Sequence, residues 1–245
     1  METLTRGITK PVRSLLVSER KQMFELMMLY YDGITETQFN KDLDEKEAVM
    51  VMLDSKTLEI VGFSTFMFLD LEVGDSMIKG FFSGDTVVHA NYRKTTTIGV
   101  ELGKNFLSSV KRFPENRMFW ILISKGCRTY RLLPIFFREW YPRYDCHTPE
   151  FAKNVMDAFG KVKYPINYDR DTGLITFSGL AETLRPGVAD AHEGRLNDPH
   201  IRYFVERNPS HMKGDELVCV AEVSVKNFAP AFVRILKQAG VTLNV

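Results

Sequence analysis

The chain is poor in cysteine, with Cys127, Cys146 and Cys219 the only three among 245 residues and no CxxC pair among them. That spacing supports neither a zinc knuckle nor a dithiol redox motif, and no metal site is expected. Long apolar runs are also missing, so no segment is suited to span a bilayer. The first residues, METLTRGITKPVRSLLVSERK, scatter charge and proline where a signal peptide needs an apolar core. The expectation is a cytoplasmic protein with reduced thiols. Excess charge of either sign is absent: 32 Lys+Arg against 31 Asp+Glu give a formal net charge of +1. Nothing in that balance calls for nucleic acid or an acidic membrane as partner. The basic series Arg128, Arg131, Arg138 and Arg143 has near-helical spacing, and its plain reading is a solvated helix face.

What the sequence does contain is patterned as an α+β domain. Residues 18–32 repeat apolar Met23, Phe24, Met27, Met28 and Tyr31 at helical spacing, with Ser18 as the expected N-cap. The methionines suit core packing, or else a pliable pocket wall. A short charged helix follows near 36–45. Then EAVMVML, EIVGFSTFMFLDL and SMIKGFFSGDTVVHA, joined by polar turns, predict three long antiparallel strands. A helix over about 96–111 leads to RMFWILIS, residues 117–124, whose unbroken apolar run fits a strand buried on both faces. The next stretch begins as a helix that must kink or end near Pro134. Beyond it, Thr148 is the expected N-cap of another helix with Pro149 at its first position. A hairpin turns at Asp171-Thr172-Gly173, and a last strand and helix end near Gly240.

One turn stands out. In DTVVHANYRKTTTIGVELGKNFL, residues 85–107, a strand passes directly into a helix, as in turns that cradle phosphate. The order of elements, with this turn after the third long strand, resembles the GNAT superfamily of acyl-CoA N-acyltransferases, whose pattern there is V-x-P-x-Y-R-x-x-G-x-G. Val88, Tyr92 and Arg93 match, while Ala90, Thr96 and Ile98 replace the proline and two glycines. The resemblance covers roughly residues 18–141, with the strand at 216–225 completing the sheet. It implies a mixed, mostly antiparallel central sheet flanked by helices, and a donor phosphate held by Val87, Val88, Arg93, Lys94, Thr95, Thr96, Thr97, Ile98 and Gly99. The donors would be chiefly backbone N–H groups at the helix start. Threonine and isoleucine in place of glycine leave less room, so a single phosphate fits more readily than a pyrophosphate. Acyl-CoA or an acyl-phosphopantetheine on an acyl carrier protein is the implied donor, and no tightly bound cofactor is expected. The length and enlarged C-terminal half are similar to those of N-acyl amino acid synthases, which use acyl carrier protein.

The resemblance also implies roles. An oxyanion would be held by a backbone N–H near Val88, and Tyr130, six residues after Ser124, would either protonate the leaving thiolate or simply pack. Asp85 and His89 are the candidate bases, unless water chains suffice. Phe63, Phe66, Phe68, Phe81, Phe82, Phe136 and Phe137 crowd the elements that would line an acyl slot, though Phe81 and Phe82 must face opposite ways. The chain divides into a GNAT-like core at 1–144, an insertion or lid at 145–213, and a closing strand and helix at 214–245. The acceptor would be the amine of a small molecule or amino acid. A non-catalytic binding module with the same fold is the alternative, and a site built on His200, His211 and Asp215 is a third.

Overall fold

The computed structural model describes residues 4–177, 182–185, 188 and 196–243. The chain opens with an edge strand, β1 (Thr5–Pro11), followed by α1 (Val17–Met28), the two-residue β2 (Tyr31–Asp32) and α2 (Glu36–Asp44). The expected meander comes next, as β3 (Ala48–Asp54), β4 (Ile60–Val73) and β5 (Ser76–Val88). Helix α3 (Thr97–Arg112), strand β6 (Met118–Ser124) and the one-turn helices α4 (Cys127–Tyr130) and α5 (Leu132–Phe136) complete the first half. The second half holds α6 (Glu150–Lys163), β7 (Tyr168–Asp169), β8 (Leu174–Ile175), β9 (Thr183–Leu184), α7 (Pro199–Arg207), β10 (Glu216–Glu222) and α8 (Pro230–Gln238).

The strands form one sheet in the order β1-β3-β4-β5-β6-β10-β8-β7, with β2 and β9 paired separately. Every pairing in the large sheet is antiparallel except β5 with β6. A parallel neighbour requires a crossover, and α3 supplies it. This is the expected architecture of a mixed, mostly antiparallel central sheet flanked by helices.

Alternation along the strands feeds two cores. Phe81 points to the face covered by α3 and α8, where it stacks on Phe66 at 4.6 Å and meets Phe106 edge-on. Phe82 points to the opposite face and packs on Phe159 of α6. Helices α1 and α2 close the outer end of that second face, burying Met23, Met27 and Phe39 against Val49, Val51 and Phe63. Met23 and Met27 therefore act as core.

Several boundaries differ from expectation, each for a local reason. Helix α1 starts before Ser18, because the Glu19 carboxylate accepts the Leu16 N–H at 2.9 Å and caps from inside. Pro149 occupies the N-cap of α6, one place outside the position expected for it. After β6 the helix breaks at Arg131, and Pro134 lies inside the second short turn. Strand β1 has no strong apolar alternation and depends on pairing with β3.

Phe106 sits at the centre of the first core, with Phe81, Trp120, Phe137 and Phe228 around its ring. Phe106→Ala should destabilise the protein by about 3–5 kcal/mol through a cavity that rigid aromatic neighbours cannot fill. A urea titration measures this, and a loss below about 1 kcal/mol would contradict the packing described.

Candidate active site

The site begins with a strand pair that stops early. β5 and β6 pair only from Lys79↔Met118 to Ser83↔Leu122. Immediately beyond, β5 carries one extra residue: Ser64 is opposite Thr86 and Phe66 opposite Ser83, so Gly84 and Asp85 together face Thr65. Such a bulge bends its strand and re-aims its side chains. Gly84 permits it, since a Cβ there would lie 2.7 Å from Thr65 Oγ1 and 2.8 Å from Lys46 Cε. The strands part beyond the bulge, and the gap is a cavity of about 900 Å³.

The backbone facing this gap follows from the ladder. The His89 N–H donates to Val61 O at 2.9 Å, so by alternation Val87 also faces β4 while Thr86 and Val88 face the cleft. The Val88 carbonyl accepts from Arg93 Nε at 3.2 Å, and the Arg93 guanidinium lies 4.7 Å over the Tyr30 ring. The Val88 N–H thus points into a cavity whose other wall is the start of α3.

Of the residues expected around a donor phosphate, Val87, Val88, Arg93, Thr95, Thr96, Ile98 and Gly99 line the cavity. Lys94 and Thr97 do not. Thr97 Oγ1 is bonded to Thr5 Oγ1 at 2.6 Å, and Thr95 Oγ1 donates to the Tyr92 carbonyl at 2.9 Å. Tyr92 turns away to donate to Asp54 Oδ2 at 2.6 Å, which together with backbone N–H donors holds the Asp54 carboxyl down at about 2. Thr96, at the N-cap, makes no side-chain capping bond and lines the cavity. The first turn of a 16-residue helix leaves its N–H groups directed at this end of the cleft.

The three proposed proton carriers fall in different places. Asp85 lines the cavity, and burial pushes its carboxyl above the usual range despite the pull of Lys46 and Lys125. His89 is outside the lining: its Nδ1 accepts the Asn91 N–H and its ring packs on Tyr92. Tyr130 is fully buried away from the cavity, donating its hydroxyl to the Pro142 carbonyl at 2.9 Å and packing on Phe204. That placement fits the packing alternative. Burial raises its hydroxyl pKa further, which disfavours the charged form. Of the seven phenylalanines, only Phe82 and Phe136 reach the cavity, and the others are spent on core packing.

The other half of the cavity was not legible in the sequence. Glu216 of β10, Lys125 after β6, Lys46 after α2 and Glu182 before β9 converge on Asp85. They come from four distant segments, and no spacing joins them. Burial raises the carboxyl pKa of both Glu216 and Glu182, with Asp85 adding to the effect in each case.

His200 lies between the rings of Trp140 and Tyr144, while His211 Nδ1 is bonded to the Asn208 carbonyl. Among the described residues no group of three His, Cys, Asp or Glu could hold a metal ion. The arginine series is not one helix face. Arg131 pairs with Asp198, Arg138 donates to the Phe228 carbonyl, Arg143 pairs with Asp145, and Arg128 lines the cavity. No helix of the described residues is long and apolar enough to cross a membrane.

No family model and no curated protein matches the chain. Solved structures do. A probable N-acyltransferase from Enterococcus faecalis matches at 14% identity and a TM-score of 0.40, over 53% of this chain and 32% of that one, about a third of its length. A GNAT family N-acetyltransferase from Escherichia coli in complex with CoA matches at 13% identity and a TM-score of 0.36, over 51% and 66%. Glucosamine-6-phosphate N-acetyltransferase from Arabidopsis thaliana matches at 14% and 0.39, over 61% and 99%. At such identity and overlap, the functional reading rests on the chain's own geometry.

Tyr130→Phe separates packing from chemistry. The buried Pro142 carbonyl loses its donor, so stability should fall by about 1–3 kcal/mol. Turnover per folded molecule should stay near wild type, and a hundredfold loss in a folded variant would return Tyr130 to the reaction.

Proposed function

We propose that this protein is an N-acyltransferase that moves an acyl group from a phosphopantetheine thioester to the amine of a small molecule. The observation that carries this reading is the single cleft between β5 and β6. It brings together the Val88 N–H, the start of α3 and the Asp85 carboxylate. The donor phosphate lies against the first turn of α3, with Arg93 beside it. Its pantetheine arm runs between the parted strands, whose free backbone groups can bond its amides. The acyl chain rests on Leu102, Leu132 and Phe136. Thr96 and Ile98 crowd the turn, which favours the single phosphate of a carrier-borne arm over the pyrophosphate of coenzyme A.

Transfer then needs few groups. The acceptor nitrogen enters from the Asp85 side and attacks the thioester carbon. The Val88 N–H stabilises negative charge on the carbonyl oxygen. As the C–S bond breaks, sulfur leaves as a thiolate and the amine proton passes to Asp85, directly or through water. A thiol with a pKa of about 8.5 can take its proton from solvent, so no side-chain acid is required. Burial of Asp85 helps, because a base works best when its pKa approaches the working pH.

Two variants test the two halves. Arg93→Glu places negative charge at the phosphate end, and calorimetry with coenzyme A and with free phosphopantetheine should show at least tenfold weaker binding of both. Unchanged affinity would move the donor site elsewhere. Asp85→Asn removes the proton acceptor, and kcat should fall by about 10²- to 10⁴-fold with donor affinity kept. A variant that melts like wild type and turns over within threefold of it would remove Asp85 from the chemistry.

A further inference from the structure

Arg93 is exposed, and a long exposed side chain gives up rotamer freedom when a ligand fixes it. Its aim therefore matters as much as its charge. The bond from Nε to the Val88 carbonyl fixes one side of the guanidinium. Tyr30 fixes a second, because its ring lies against the guanidinium at 4.7 Å. The Tyr30 hydroxyl also accepts the Ala90 N–H at 2.7 Å. One side chain thus holds both the first residue of the short turn Ala90–Tyr92 and the arginine that follows it. Tyr30 is itself fastened on both sides. Its N–H donates to the Met27 carbonyl at 2.9 Å, extending α1, and its carbonyl accepts the Arg185 N–H at 2.9 Å. It lines the same cavity as Arg93 and the start of α3.

We propose that Tyr30 is a positioning residue for the donor phosphate, holding the Arg93 guanidinium and the turn before α3 in the geometry that receives it. This rests on the acyltransferase reading for the identity of the anion, and on the contacts above for the role of Tyr30. The ring does the aiming, since a planar guanidinium stacks on an aromatic face. The hydroxyl contact contributes less, because Ala90 is exposed and water can replace a lost partner there. Tyr30 then governs donor binding and not the chemical step.

Phosphopantetheine and pantetheine differ only in the phosphate, so calorimetry with both on the whole protein reads what that group contributes. Wild type should bind the phosphorylated arm at least tenfold more tightly. Tyr30→Leu should reduce that ratio by about fivefold or more and leave pantetheine affinity within twofold, which a merely structural loss would not do. Tyr30→Phe keeps the ring and should stay within threefold of the wild-type ratio. In an Arg93→Ala background Tyr30→Leu should change nothing further, since both act through one guanidinium. A wild-type ratio in Tyr30→Leu, or pantetheine weakened as much as phosphopantetheine, overturns the proposal. Arg93→Lys decides the case if Tyr30→Leu fails to fold. It keeps the charge at an exposed position but loses the planar stack and the Nε–H bond, so the ratio should again fall by about fivefold or more. An unchanged ratio there overturns the proposal as well. Equal binding of the two arms by wild type overturns the donor-site reading itself, and Tyr30 then has no phosphate to serve.

Discussion

The parting of β5 from β6 after Ser83 and Leu122 is the constraint on which the rest of this molecule depends. Two parallel strands in a buried sheet ordinarily keep their ladder, because unpaired backbone groups inside a protein are unfavourable. Here the extra residue at Gly84–Asp85 breaks register against β4 and bends β5 off its neighbour. The consequence is a slot with free main-chain donors on its walls. A ligand arm rich in amides can replace the missing strand. The same bend carries Asp85 to the slot and leaves Val88 beside the start of α3.

Rigid packing holds the slot open. Trp120 of β6 donates its indole N–H to Ser83 Oγ at 2.8 Å, fastening the two strands at the last point where they touch. The aromatic group around Phe106 braces α3 from beneath, so the helix start keeps its aim. On the opposite face α6 backs Phe82 and Phe119, so this part of the segment after residue 145 belongs to the core. The site is built on strands and helices rather than on long loops, which favours precise placement of reacting groups.

At the α3 end of the cleft, Arg93 and a helix start favour an anion. Elsewhere five carboxylates share the lining with Lys46, Lys125, Lys163 and Arg128, so with Arg93 counted the lining as a whole is balanced. That balance matches the whole chain, which is nearly neutral.

The sequence by itself determined the meander, the buried strand at 117–124 and the strand-to-helix turn at 85–107. Those features are local: alternation, unbroken apolar runs and a polar turn act on neighbouring residues. It also pointed to Asp85, Arg93 and the start of α3, because one continuous segment carries them. It could not separate Tyr130 from the cleft, since a tyrosine's position along the chain says nothing of which side of a short helix meets Phe204 and Pro142. Nor could it find Glu216, Lys125, Lys46 and Glu182. Their convergence exists only once β10 pairs with β6 and the chain near residue 183 pairs with β2. The bulge belongs to the same class, because Gly84 reads as an ordinary strand glycine until β4 supplies the register that it breaks. Non-local pairing, set by the burial of two sheet faces at once, decided what the cleft contains.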